Sequence, residues 1–311
     1  MSFAEQERAL FDLLFDQPLR DDFCARSAAA LSDYQLTATE RADFKRIRPE
    51  GLMVDVALRA DQILVHLCRQ FPLTFSLVSS LSNGMELLRK LVNRQTMLQL
   101  PEDRATQFGL QLQEQLEELV ADCDPTLQVM LGASLATELG LTWTSAILKK
   151  QPPADQTSAE NTRIPDTKMT DSYWIDRPIT LAAQVAATLL PQPYTVIKEQ
   201  LCPVDSIQLW AHLSKNPLTQ PKIKTALNTK QPSLFISRAY FSKITPCETQ
   251  VGQVTLELND GFAPLLQQID GKNSVNQIIE QLVDIGASDS IVAGVKTGFK
   301  QLLESSIIEV V

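Results

Sequence analysis

The stretch Gln253-Val254-Thr255-Leu256-Glu257-Leu258 alternates polar and apolar side chains without a break. Successive side chains of a strand point to opposite faces, so Val254, Leu256 and Leu258 share one side and the segment is a half-buried strand. It leads into a helix that Asn259 or Asp260 can cap, with Phe262, Leu265, Leu266 and Ile269 at i, i+3, i+4 and i+7. Asp270-Gly271 stops that helix, because glycine takes the left-handed conformation of a helix end without steric cost. Asn273 or Ser274 can cap the next helix, where Val275, Ile278, Ile279 and Leu282 repeat the spacing. A third helix, from about Ser288 to Leu303, has Ile291, Val292, Val295, Phe299, Leu302 and Leu303 as its inward stripe. Lys296 and Lys300 lie one turn apart on another face, and Ile307-Ile308 begins a closing apolar strand.

Upstream, the first 150 residues read as one all-helical unit. Ala4 to Phe15, Pro18 to Leu31 and Ala38 to Ile47 are short helices, with Leu10, Leu13, Leu14, Phe23 and Tyr34 as core. A longer helix begins near Met53, with Val56, Ala60, Ile63, Leu64, Leu67, Cys68 and Phe71 as its apolar stripe. Its other side carries a polar ridge, Asp55, Arg59, Gln62, His66 and Arg69, which is either solvated surface or a partner-facing edge. Leu73 to Leu81 is apolar enough to be buried, and Met85 to Val92, Glu102 to Val120 and a helix from Asp124-Pro125 follow. That last helix carries Leu127, Met130, Leu131, Leu135, Leu139, Trp143 and Ile147 as its apolar positions.

Residues 151–171 form a polar, proline-containing linker, and 172–230 a mixed connecting segment in which Asp205 caps a helix from Ser206 to Ser214. Leu234 to Phe241 reads as a strand, and Ile244 to Cys247 as another, so that with Gln253 to Leu258 they complete a three-stranded antiparallel sheet within 231–311. The fold class is α+β, mostly α. Trp143, Trp174 and Trp210 read as core or interface anchors.

Composition narrows the function. With 28 Lys+Arg against 37 Asp+Glu, the chain has a net charge of -9. Tight duplex binding uses about six to ten phosphate contacts, so no nucleic acid is expected as a partner. No basic segment precedes an apolar run at the start, and no run of about eighteen apolar residues occurs, so no membrane is expected and the localisation reads as cytoplasmic. The five cysteines are scattered and form no C-x-x-C pair, which fits a reducing compartment. The two histidines, His66 and His212, have no ligand spacing around them, and no phosphate-cradling glycine loop or nucleophile elbow is present. The expectation is a chain that is not itself an enzyme, with no catalytic residue and no metal site.

The strand Val254 to Leu258, Phe262-Ala263-Pro264-Leu265-Leu266, Ile269-Asp270-Gly271, Ser274 to Ile279 and Leu302-Leu303 before Ile307-Ile308 together resemble the PqqD-like leader-peptide recognition domain of ribosomal peptide (RiPP) biosynthesis. The resemblance implies a small winged helix-turn-helix over 231–311. It also implies a peptide added as a strand beside Gln253, Val254, Thr255 and Glu257, with Val292, Lys296, Phe299 and Lys300 as the opposite wall. Val54-Asp55-Val56-Ala57-Leu58-Arg59-Ala60, Phe71-Pro72-Leu73 and the helix after Asn83-Gly84 resemble the helical region of partner proteins of multinuclear non-heme iron oxidases. The helical segment before Pro49 has no counterpart in that pattern. Together the resemblances imply a non-catalytic accessory subunit that binds a precursor's leader and presents it to a separate oxidase. The iron would sit in that enzyme, and Asp55, Arg59, Gln62, His66 and Arg69 would face it. The alternatives are a winged-helix transcription regulator and an adaptor of another peptide maturase.

Overall fold

A computed structural model describes residues 3–150, 171–227, 231–245 and 248–311. In chain order the helices are α1 (Phe3–Phe15), α2 (Gln17–Arg26), α3 (Ala38–Phe44), α4 (Pro49–Cys68), α5 (Pro72–Val78), α6 (Gly84–Lys90), α7 (Arg94–Met97), α8 (Arg104–Glu114), α9 (Leu116–Val120) and α10 (Pro125–Lys150). They are followed by α11 (Asp171–Trp174), β1 (Pro178–Leu181), β2 (Val185–Leu190), α12 (Tyr194–Leu201), α13 (Ser206–Lys215), α14 (Gln220–Ala226), β3 (Ser233–Thr245) and β4 (Glu248–Asn259). The chain closes with α15 (Ala263–Leu266), β5 (Asp270–Ser274), α16 (Val275–Asp284), α17 (Asp289–Glu304) and β6 (Ile308–Val310). The fold is mostly helical, with two small three-stranded antiparallel sheets.

Contacts divide the chain into two compact units, Met1–Ala121 with Cys202–Leu218, and Asp122–Leu201 with Thr219–Val311. The first is a helical bundle built on α5, every residue of which is buried. Phe71 and Phe75 pack on Phe108 at ring separations of 6.0 and 5.7 Å, and Trp210 of α13 meets Phe75 edge-on at 5.8 Å. Helix starts follow the local chemistry: Asp16 accepts the Leu19 N–H, and Thr37 and Glu40 form a reciprocal capping box. A Cβ on Gly84 would lie 1.9 Å from the Val78 carbonyl oxygen, so only glycine lets α6 approach α5 there. Buried Gln111 bridges Asn93 and Thr96.

In the second unit, one sheet has the order β2-β3-β4 and the other β5-β1-β6. On the α10 side of the first sheet, Leu148 packs with Ala239 and Phe241. On its other side Leu234, Ile236 and Leu258 join Trp174, Ile179, Phe262, Ile278 and Phe299 in one apolar core, with Val254 and Leu256 packed against it. Arg238 crosses to the last strand, donating to the Ser306 carbonyl and pairing with Glu309 at 3.2 Å.

Several expectations change. Helix α10, assigned by its apolar spacing to residues 1–150, belongs to the second unit, and α13, placed in the connecting segment, belongs to the first. The third strand beside β3 and β4 is β2 rather than Ile244 to Cys247; β3 itself runs through Thr245, and residues 246–247 lie outside the described ones. The linker lies there too, apart from Asp171 in α11. Asp270 to Ser274 is a strand, not only a turn, and the helix before it is a single turn after a 3-10 segment. The helix expected from Glu102 breaks at Gln115. Leu10, Ile291 and Trp143 are exposed at 44, 53 and 51%, so they leave the cores to which periodicity assigned them.

Candidate functional site

Strand β4 pairs with β3 alone and so borders its sheet. In an antiparallel ladder, alternate residues direct both backbone groups to the same neighbour. The Ala239 N–H donates to the Gln184 carbonyl on the β2 side, so the odd-numbered residues of β3 bond toward β2 and the even-numbered ones toward β4. Through the register Arg238↔Val254 and Ile236↔Leu256, the backbones of Val254 and Leu256 turn inward and those of Gln253, Thr255 and Glu257 outward. Among the described residues, no backbone group takes up the outward N–H and C=O groups of these three residues.

The side chains of that row are partly committed. Gln253 donates to the Leu141 carbonyl at 2.6 Å and to Ser145 Oγ at 2.7 Å, both on α10. Glu257 accepts the N–H groups of Tyr194 and Thr195 and the Thr195 hydroxyl, capping α12. Thr255, between them, is exposed, and half-buried Val254 belongs to the apolar face. What Gln253 and Glu257 offer a guest is therefore backbone, and Thr255 alone of the three offers a side chain as well.

On α17 one of the four residues expected to form a wall lies in the core. Phe299 is fully buried and packs edge-on to Phe262 at 5.1 Å, so it supports the core and is not a groove surface. A Cβ on Gly298 would lie 2.3 Å from the Phe262 ring, so this turn of α17 packs tightly there. Val292 and Lys296 are half-buried and Lys300 is exposed. Just ahead, the Asp270 carboxyl accepts the N–H groups of Lys272 and Asn273, which hold its pKa below the ordinary carboxylate value. Ser274 and Gln277 form the capping box of α16.

The ridge on α4 is present as a surface feature: Arg59, Gln62, His66 and Arg69 are exposed and Asp55 half-buried. Arg59 Nε lies 2.9 Å from Asp55, an exposed i,i+4 pair worth a few tenths of a kcal/mol. Beside it, Val54 and Leu58 are exposed at 61 and 59%, which the polar reading of that ridge passed over. Also unforeseen is Tyr194, whose hydroxyl donates to the fully buried Glu138; a lone Glu in an apolar helix stripe was its signal.

Among the described residues no group of three or more His, Cys, Asp or Glu side chains is placed to hold a metal ion, and no helix is long and apolar enough to cross a membrane. Compared with known protein families, curated proteins and solved structures, the chain matches none.

Proposed function

We propose that the chain is a non-catalytic accessory subunit that binds the leader of a ribosomally made precursor peptide and presents it to a separate iron-dependent peptide-modifying oxidase. The observation that carries the reading is the open border of β4, where Gln253, Thr255 and Glu257 hold outward backbone groups that an extended peptide can pair with. In this reading α15, α16 and α17 with the strands around them form a winged helix-turn-helix of the PqqD-like kind. Val292 and the stems of Lys296 and Lys300 flank the guest strand, and their charges favour an acidic leader. The ridge Asp55, Arg59, Gln62, His66 and Arg69 faces the oxidase, whose iron lies outside this chain. The net charge of -9 supports peptide over nucleic acid as the ligand.

Calorimetry with the leader of a precursor encoded beside this chain tests the reading. Thr255→Pro removes an outward N–H on an edge strand, where proline is tolerated, and is expected to weaken binding by about tenfold or more. Glu257→Ala deletes the α12 cap but keeps the outward backbone, so affinity is expected to stay within about threefold, a shift under 1 kcal/mol. Unchanged affinity for a folded Thr255→Pro variant overturns the strand-addition reading.

A further inference from the structure

The sheet β2-β3-β4 has a second border, β2, which the leader reading does not use. The Ala239 N–H donates to the Gln184 carbonyl, so even-numbered residues on this strand bond toward β3 and the backbones of Val185, Ala187 and Leu189 turn outward. Among the described residues, no backbone group takes up these outward N–H and C=O groups. Soluble proteins guard such a border with lysine, proline or a bulge. Strand β2 has none of these: its pairing with β3 is continuous, Pro191 comes only after its end, and no charged residue occurs from Pro178 to Ile197. Leu189 is 53% exposed, and Ala187 is exposed beside it.

Helix α10 carries the apolar surface past that border. Its Ser145 accepts from Gln253 of β4, Leu148 packs on Ala239 and Phe241 of β3, and a Cβ on Gly140 would lie 3.1 Å from that of Ala186 on β2. At 100° per residue, Ser145, Leu148 and Gly140 follow one another around the helix in the order of the strands beneath them. The next direction, about 60° past Gly140 in the same sense, is that of Trp143, which therefore overhangs the β2 border. Trp143 is half exposed, and Ala136, Leu139 and Ile147, exposed or half-buried, extend its stripe. From Pro125 to Leu148 the one charged residue is Glu138, which is fully buried. Strand border and helix stripe thus form one uncovered surface without a charge.

We infer that this surface binds a second copy of the chain, with β2 pairing antiparallel to β2 about a two-fold axis at Ala187. In that register Ala187 faces Ala187, Leu189 of one copy faces Val185 of the other, and all three outward backbones find partners. The axis stands perpendicular to the sheet, so both α10 helices lie on one face and the two Trp143 stripes meet. Charge favours this occupant. Copies of a chain with net charge -9 repel wherever carboxylates face each other, and here neither copy presents one. An acidic leader, conversely, finds no cation on β2 to hold it. The paired strands and stripes together approach the roughly 1,000 Å² that a specific interface clears, so a dimer of micromolar affinity is expected. The inference does not rest on the leader reading, because β4 stays open at the far side of the sheet.

Sedimentation equilibrium on the full chain, without any peptide, tests it. The wild type is expected to pass from monomer to dimer as concentration rises to about 100 μM. Trp174 and Trp210 are buried, so the accompanying blue shift of tryptophan emission reports Trp143. Ala187→Lys and Ala187→Glu, at an exposed position, each set like charges opposite one another at the axis and are expected to weaken the dimer at least about tenfold with circular dichroism unchanged. An equimolar mixture of the two variants sets Lys opposite Glu and is expected to restore it. Thr255→Pro, on the opposite border, is expected to leave the dimer intact. A wild type that stays monomeric at about 100 μM overturns the inference. So does a dimer that either Ala187 variant leaves unchanged, a mixture that does not reassociate, or a dimer that Thr255→Pro dissociates.

Discussion

The Tyr194 hydroxyl donates to Glu138 at 2.6 Å, while the backbone N–H of the same residue donates to Glu257 on β4. One residue at the start of α12 thus ties α10 to the border strand. Glu138 is fully buried, and a buried carboxyl that loses a donor bears its desolvation. Tyr194→Phe is expected to lower unfolding stability by about 1–3 kcal/mol, measured by urea titration, with the slope of the transition unchanged.

Phe299 and Lys300 are neighbours in sequence with opposite exposure, which separates folding from binding. Phe299→Ala removes a fully buried ring packed on Phe262 and is expected to cost about 3–5 kcal/mol in thermal or urea unfolding. Lys300→Glu, at an exposed position, is expected to change stability by less than about 0.5 kcal/mol and to weaken an acidic leader in calorimetry.

The Asp270 carboxyl is held below the usual range first by the Lys272 N–H and then by that of Asn273. A lowered folded pKa means stability that is fully present above the unfolded value of about 3.9 and is lost as pH falls through the folded one. Asp270→Asn keeps the turn but removes the titration. The stability gap between wild type and variant is expected to be constant at neutral pH and to close below about pH 4, read from urea midpoints across an acid series.

Local patterns in the chain announce local structure well. Alternation from Gln253 to Leu258 marks the border strand and Ser274 with Gln277 marks the start of α16, whereas Gly271, expected as a helix stop, takes φ +80 inside β5, beyond the end of α15 at Leu266. Features decided by distant partners were not readable. Asp270 to Ser274 has turn composition, and only pairing with β1 makes it a strand. Val185 to Leu190 lacks alternation and becomes a strand by lying beside β3. Trp143 follows its helix's apolar spacing yet emerges exposed, because α10 also buries the polar residues Ser134, Thr137, Glu138, Thr142 and Thr144. Of the candidate site, the strand was legible, as was the position of Lys296 and Lys300 outside the core. Which backbone groups face outward depends on the β2-β3-β4 order, and the burial of Phe299 depends on Phe262.

Amide hydrogen exchange, resolved by residue in the presence and absence of the leader peptide, tests strand addition at β4 most directly. The outward amides of Gln253, Thr255 and Glu257 are expected to exchange quickly in the free protein and to gain protection of about tenfold or more when peptide is bound. The inward amides of Val254 and Leu256, already paired with β3, are expected to change little. Bound peptide with no added protection at Thr255 contradicts the account.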